Sequence, residues 1–335
     1  MENFSTVSLT DDILIEILTK LPLKSLFRLT SVSKQWQRLI SDRYLRNKLP
    51  LMLSGVYHFP HNAKTGVEKP RFAWLSENGF EDMSLSFFPF NLSSTIIDCC
   101  HGLLLFYSSL HGRFYVCNPI LKKWFQLPKL GKSNHLSILA FDPRHAARYR
   151  VVCFTGWLAQ GAEIEIYSSE TGEWASGLLH WGVDTDRMSA TMRYFDGLLY
   201  VLALPQFVVG INLEGMSCQQ IELPEMVKHD GCVGKSGGLL HYSSNNGKQI
   251  NIWALNSSKW SLKHSISFQF IVEEPLEMVN FLAFHPELDI VYLWVPGKII
   301  SYDLMNKRFD VVCEFGLELK DAYLIQMWLH PFFSC

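Results

Sequence analysis

A chain of 335 residues with 48% hydrophobic side chains can bury the core of one large domain or two ordinary ones. Only 19% of its residues are charged, too few for a mainly disordered polymer, and a net charge of −2 excludes a whole-chain electrostatic grip on nucleic acid. Aromatics at 13%, ten of them Trp, favour sheet-rich packing.

The charge is uneven. Residues 1–50 carry eight Lys/Arg against five Asp/Glu, and the remainder carries 22 against 27. The eight Cys form no C-x-x-C pair and sit in apolar, strand-like runs, as buried free thiols do. The N-terminus shows no basic segment followed by an apolar one, and no apolar run reaches the ~18 residues of a membrane helix. The expected location is therefore the cytoplasm and/or nucleus, with neither membrane nor nucleic acid as a partner.

The first element opens at Thr10-Asp11-Asp12. Thr10 is a candidate cap, and two acids suit the positive end of a helix dipole. Ile13, Leu14, Ile17, Leu18 and Leu21 follow at three- and four-residue spacing, one apolar stripe that Pro22 ends. A second short helix is expected from Lys24 to Leu29. Ser31 or Ser33 can cap a third, with Val32, Trp36, Leu39 and Ile40 on its inner face. Three short helices bury too little surface to stand comfortably alone, so the head calls for a partner chain.

The run Leu9 to Leu18, then Leu21-Pro22-Leu23-Lys24-Ser25-Leu26, Val32-Ser33-Lys34-Gln35-Trp36 and Leu39-Ile40-Ser41, closely resembles an F-box of the plant group. The resemblance implies docking onto Skp1, and through it a cullin/RING ubiquitin ligase, by laying apolar anchors into a groove. Matched by position, the docking residues are Leu9, Ile13, Ile17, Leu21, Pro22, Leu26, Val32 and Trp36. Leu14, Leu18, Leu29 and Ile40 are expected to pack inside the head instead. The family's usual proline after the first Leu is replaced by Thr10, which implies a weaker grip.

Residues 42–60 read as a linker of mixed helix and strand. Beyond them a unit recurs: a Gly, an apolar run, an Asn or Asp after an aliphatic or Tyr, and a closing aromatic. Gly102-Leu103-Leu104, Gly197-Leu198-Leu199 and Gly238-Leu239-Leu240 open such units, the Gly allowing a tight turn and the following residues forming an inner strand. The closing markers Trp124, Trp174, Cys218, Trp260 and Phe309 are separated by 40–50 residues, the period of four-stranded propeller blades. A weak first unit fits residues 51–98, and a strand around Tyr323–Trp328 would close the ring. The segments from Cys99 to Pro128, Ala140 to Phe154 and Glu165 to Trp174 resemble the F-box-associated or kelch-like region of plant F-box proteins.

The same stretch offers little for rival chemistry. Asp98, Asp142, Asp196 and Asp303 recur at similar repeat positions, which marks turn-capping residues more than a paired-carboxylate cleft. His58-x-x-His61 and Cys99-Cys100-His101 lack a second matching pair at structural-zinc spacing, so no metal and no cofactor is expected. Neither a phosphate loop nor a nucleophile elbow occurs.

The fold expected is thus an α+β multidomain chain: a three-helix F-box over residues 1–48, then an all-β propeller of about six blades over 49–335. The function implied is a non-catalytic adaptor of an SCF (Skp1–cullin–F-box) ligase whose propeller binds an unknown protein substrate. Candidate substrate contacts are Arg144 and Arg148 in the one basic patch, and Trp157, Trp181 and Phe207 as exposed apolar loop residues. A Skp1-bound binding protein outside the ligase and a propeller enzyme or small-molecule sensor are the alternatives. Target turnover separates the first of these; a carboxylate cluster or deep central pocket would favour the second.

Overall fold

The computed structural model describes residues 10–21, 29, 32–40, 52–58, 71–74, 84–119, 121–141, 148–227, 230–270, 279–285, 288–295, 297–314 and 324–329. In the head these form helices α1 (Asp11–Thr19) and α2 (Lys34–Ile40). The helix expected at Lys24–Leu29 lies outside the described residues, but for Leu29, which is helical. Thr10 starts α1 with its carbonyl, which accepts the Leu14 N–H at 3.1 Å, but its hydroxyl makes no capping bond. The hydroxyl of Ser33 does cap α2, accepting the Trp36 N–H at 3.2 Å.

The body is built from antiparallel sheets. Strands β1 (Met52–His58) and β2 (Arg71–Trp74) come first. Next comes a sheet of β3 (Thr95–Cys100), β4 (Leu103–Ser108), β5 (Arg113–Asn118) and β6 (Lys123–Gln126). The second comprises β7 (Leu136–Phe141), β8 (Tyr149–Leu158), β9 (Gly161–Ser168) and β10 (Glu173–His180). The third comprises β11 (Met188–Phe195), β12 (Leu198–Ala203), β13 (Phe207–Asn212) and β14 (Ser217–Glu222). The fourth comprises β15 (Asp230–Ser236), β16 (Leu239–Asn245), β17 (Gln249–Asn256) and β18 (Lys259–Ser267). The fifth comprises β19 (Asn280–Phe284), β20 (Ile290–Val295), β21 (Lys298–Asp303) and β22 (Arg308–Glu314). Strand β23 (Leu324–Leu329) returns to pair with β1, Leu53 opposite Trp328 and Tyr57 opposite Ile325, giving a three-stranded sheet in the order β2-β1-β23.

The first strands of consecutive sheets pack on one another, β3 on β7, β7 on β11, β11 on β15 and β15 on β19, and β23 packs on β3. This is propeller packing around a common axis. The expected six blades become five four-stranded blades, because the remaining sheet has three strands among the described residues. Met52–His58, within the stretch read as a linker of mixed helix and strand, is a strand that pairs with the returning C-terminal strand.

Among the described residues, all but one of the core clusters draw on two neighbouring sheets, the exception being Ala283, Tyr292, Trp294 and Ile299 within the fifth blade. One joins Val152, Phe154 and Ile164 of the second blade to Leu199, Val201 and Ile211 of the third; another joins Ile250 and Ile252 of the fourth to Val291 and Leu293 of the fifth. Burial between blades is therefore what holds the ring together.

The sequence markers have definite places. Trp124, Trp174, Cys218, Trp260 and Phe309 all lie on fourth strands. The Trp174 indole N–H donates to the Pro128 carbonyl at 2.9 Å, and that of Trp260 to the Glu222 carbonyl at 2.7 Å. Each thus ties its outer strand to the end of the preceding blade. The repeated Gly sits in the turn from first to second strand, where His101-Gly102, Asp196-Gly197 and Gly237-Gly238 both take positive φ. A two-residue hairpin of that hand needs such residues, and it follows that Leu-Leu opens the second strand, one place outward of the inner position expected.

Candidate functional site

In α1 the apolar stripe divides in two. Leu14, Ile15 and Leu18 are buried, Leu18 completely, whereas Ile13 and Ile17 keep 46% and 43% of their surface exposed. One helical turn separates the members of each pair, so the helix shows one apolar face inward and part of another to solvent. Val32, just before α2, is 65% exposed, and Leu39 is buried. Leu21, Leu29 and Trp36 are half-buried. Leu9, Pro22 and Leu26 lie outside the described residues, as does the side chain of Ile40.

The propeller has two unlike faces. In a four-stranded antiparallel meander, the first–second and third–fourth turns fall at one end, and the second–third turns and inter-blade links at the other. Strand β23 follows β22 as each first strand follows the fourth strand before it. Its C-terminal end, paired with Met52, therefore lies at the first end, and the chain from the head joins the ring there. We call this the head-side face and the other the far face. Among the described residues, Leu92, Leu110, Trp157, Leu158, Leu204 and Met226 are large exposed apolar residues in far-face segments; only Leu288 and Met305 are so placed on the head-side face.

The far face also holds a cleft of about 580 Å³ between the second and third blades. Its apolar lining is Leu136, Trp157, Leu158, Met188 and Met192, with His135, Thr185, Asp186 and Ser189 as polar groups. The wall is well supported. Trp157 stacks on Phe154 with ring centres 5.3 Å apart, and Thr185 ties the link to the β8–β9 turn, its hydroxyl accepting the Gly161 N–H at 3.1 Å. The Asp184 carboxylate faces the Arg187 guanidinium at 3.5 Å.

The five candidate substrate contacts do not form one surface. Trp157, 42% exposed, lines the cleft. Phe207, half-buried at the start of β13, is on the same face. Trp181 is not a surface residue: only 2% is exposed, because it leaves β10 into the core between the second and third blades. Arg148 belongs to the opposite, head-side face and is paired with Glu170 of the neighbouring turn. Arg144 lies outside the described residues. Nearby Arg150 donates to Glu214 at 2.8 Å, so the basic run is partly neutralised by the second and third blades themselves.

The four recurring aspartates do not form a catalytic set among the described residues. Asp196 occupies the β11–β12 turn and pairs with Lys235 of the next blade. Asp303 ends β21 and accepts the N–H groups of Met305 and Asn306 at 2.9 Å each, which lowers its pKa. Asp98 departs from the turn role expected of it. It sits on inner strand β3 and accepts the Leu139 N–H of the next blade at 2.7 Å and the Cys99 N–H at 2.8 Å. Burial pushes its pKa up to about 6, against the lowering pull of those donors and of Arg193. Asp142 is outside the described residues. Among the described residues no three His, Cys, Asp or Glu gather as metal ligands, and no helix is long and apolar enough to cross a membrane. Burial raises the Cys153 thiol to about 12 and Cys117 higher still, so neither is a ready nucleophile.

Comparison with known proteins matches residues 7–48 to the F-box domain and residues 83–328 to the β-propeller of the F-box protein At3g26010-like family. The Arabidopsis thaliana F-box protein At5g07610 is 24% identical over 93% of this chain and 87% of its own length. F-box protein At3g26010 of the same plant is 26% identical over 96% and 83%. A putative F-box/kelch-repeat protein, At4g22430, is 25% identical over 96% and 84%. The matched propeller is thus of the At3g26010-like type, and the expected kelch character enters only through relatives' names.

Proposed function

The chain belongs to the At3g26010-like F-box β-propeller family, and from that premise we propose that it is the substrate-recognition adaptor of an SCF ubiquitin ligase. The head docks Skp1 and the propeller holds a protein target. The observation that carries this reading is the solvent-facing apolar set Ile13, Ile17 and Val32 on a head whose small core already uses Leu14, Leu18 and Leu39. Such a surface is costly to leave in water and suits a partner groove. Leu9, Leu21, Pro22, Leu26 and Trp36 complete the docking set in this reading.

The chain itself supplies no bond-making group. Its contribution is positioning: it holds target lysines near a ubiquitin-charged enzyme, raising their effective concentration. No cofactor is called for, and the working location is the cytoplasm and/or nucleus.

Co-purification with Skp1 tests the reading. The variant Ile13→Ser/Ile17→Ser/Val32→Ser alters exposed positions only, so the propeller's circular dichroism should stay unchanged while Skp1 is lost. Undiminished Skp1 binding by that variant, or none by the native chain, would overturn the proposal.

A further inference from the structure

The far-face cleft has a chemistry that narrows what it can hold. Its floor and walls are apolar and adaptable: two methionines, Met188 and Met192, lie with Leu136, Leu158 and the ring of Trp157. Methionine side chains reshape around different apolar groups, and a partly exposed Trp is a common anchor partner. Among the lining residues Asp186 bears the one carboxylate; it is exposed and engages no described cation, since the neighbouring Arg187 is turned to Asp184. No Lys or Arg lines the cleft to offset it. Charge complementarity therefore calls for a cation beside an apolar group.

The apolar surface also runs past the cleft. Leu204 and Met226 are exposed on the same face of the third blade and its link to the fourth, with half-buried Phe207 between them in the chain. A small molecule would fill the cleft and leave that strip in water. An extended chain would cover both.

We propose that the cleft takes an extended polypeptide segment of the target in which a large apolar side chain stands next to a lysine or arginine. The apolar side chain enters between Trp157 and the two methionines, and the cation meets Asp186. This rests on the adaptor reading and adds the class of sequence the adaptor selects.

The test is a random peptide library displayed on phage and panned against the full chain in complex with Skp1. Selected peptides are then resynthesised with a fluorescent label, and their binding is followed by anisotropy. The expected winners pair a large apolar residue with Lys or Arg. Asp186→Lys should weaken them at least about tenfold, as should Trp157→Ala, while Glu170→Lys on the head-side face should not. Asp186 is exposed, so its substitution reads the charge contact without threatening the fold.

Peptides with acidic or phosphorylated consensus, or binding indifferent to Asp186→Lys, overturn the proposal. So does a library without binders, which would return the cleft to a small molecule. Skp1 retention in the same preparation is scored separately, so a failed cleft is distinguishable from a failed adaptor.

Discussion

His285 offers a sharp test of how the fifth blade is held. It is buried at the start of the β19–β20 turn, where its Nδ1 accepts the Leu288 N–H at 3.0 Å. Only an unprotonated Nδ1 can accept, and burial holds the imidazole's pKa down to about 4 from its usual 6.5. The folded group is thus reluctant to bind a proton that the unfolded chain takes readily. Its stabilisation is complete above the unfolded value and drains away as pH falls from about 6.5 toward 4. A separation of about 2.5 units is worth about 3 kcal/mol in full, of which about 2 kcal/mol is gone by pH 5. The perturbation is His285→Asn, whose side-chain oxygen can accept the same N–H but does not titrate. Urea unfolding of the full chain, followed by Trp fluorescence at pH 7, 6 and 5, gives the difference. The wild type should lose about 2 kcal/mol more than the variant over that span. Parallel losses in both proteins would refute the reasoning.

Asp98 should move the other way. Its folded pKa lies above the unfolded value, so its contribution is most favourable below about pH 4 and declines as pH rises to about 6. In the same melts, the stability of Asp98→Asn relative to wild type should rise across that window and level off above it; a flat difference would contradict the assignment. Thr10 has φ −69° and a hydroxyl without a capping bond, so Thr10→Pro fits the backbone and restores the F-box pattern. Skp1 affinity by calorimetry should improve about two- to fivefold, and a loss would show the geometry to be misread. Trp174→Phe and Trp260→Phe each remove an indole donor between blades and should cost about 1 kcal/mol in thermal or urea melts. Unchanged midpoints would show those ties to be idle.

The local parts of the fold were legible in the sequence. The spacing of Leu14 and Leu18 marks a helix face, and the interval between Trp124 and Trp174 measures one blade, because a repeat that buries its surface against its neighbour must keep its length. Features that depend on neighbouring blades were not. Periodicity alone puts Ile13, Ile17, Leu14 and Leu18 on one broad stripe; it is the match to F-box positions, not the spacing, that sets the first pair outward and the second inward, and burial in α1 divides them along the same line. Asp98 resembles its repeat partners in position, yet its role depends on Leu139, 41 residues on in the next blade. Trp181 stands between His180 and Gly182 in a link, and its burial comes from the core that the second and third blades form together. The cleft assembles His135, Trp157 and Met192 from three separate segments, and the one sequence signal for it was the Trp-Leu pair at a hairpin end.

Chain topology also bears on how the two proposed contacts coexist. The head joins the ring at the Met52 end of β1, on the face that exposes few large apolar groups. The cleft and most exposed apolar loops of the described residues lie at the opposite ends of the strands. A target seated there leaves the point where the chain enters β1 uncovered. The two bindings should then be independent in equilibrium terms, so that Skp1 leaves the affinity of a cleft-bound peptide unchanged within about twofold. Anisotropy titrations with and without saturating Skp1 measure this directly. A larger shift in either direction would mean that head and far face communicate through the blades, and that the adaptor is regulated by its own docking.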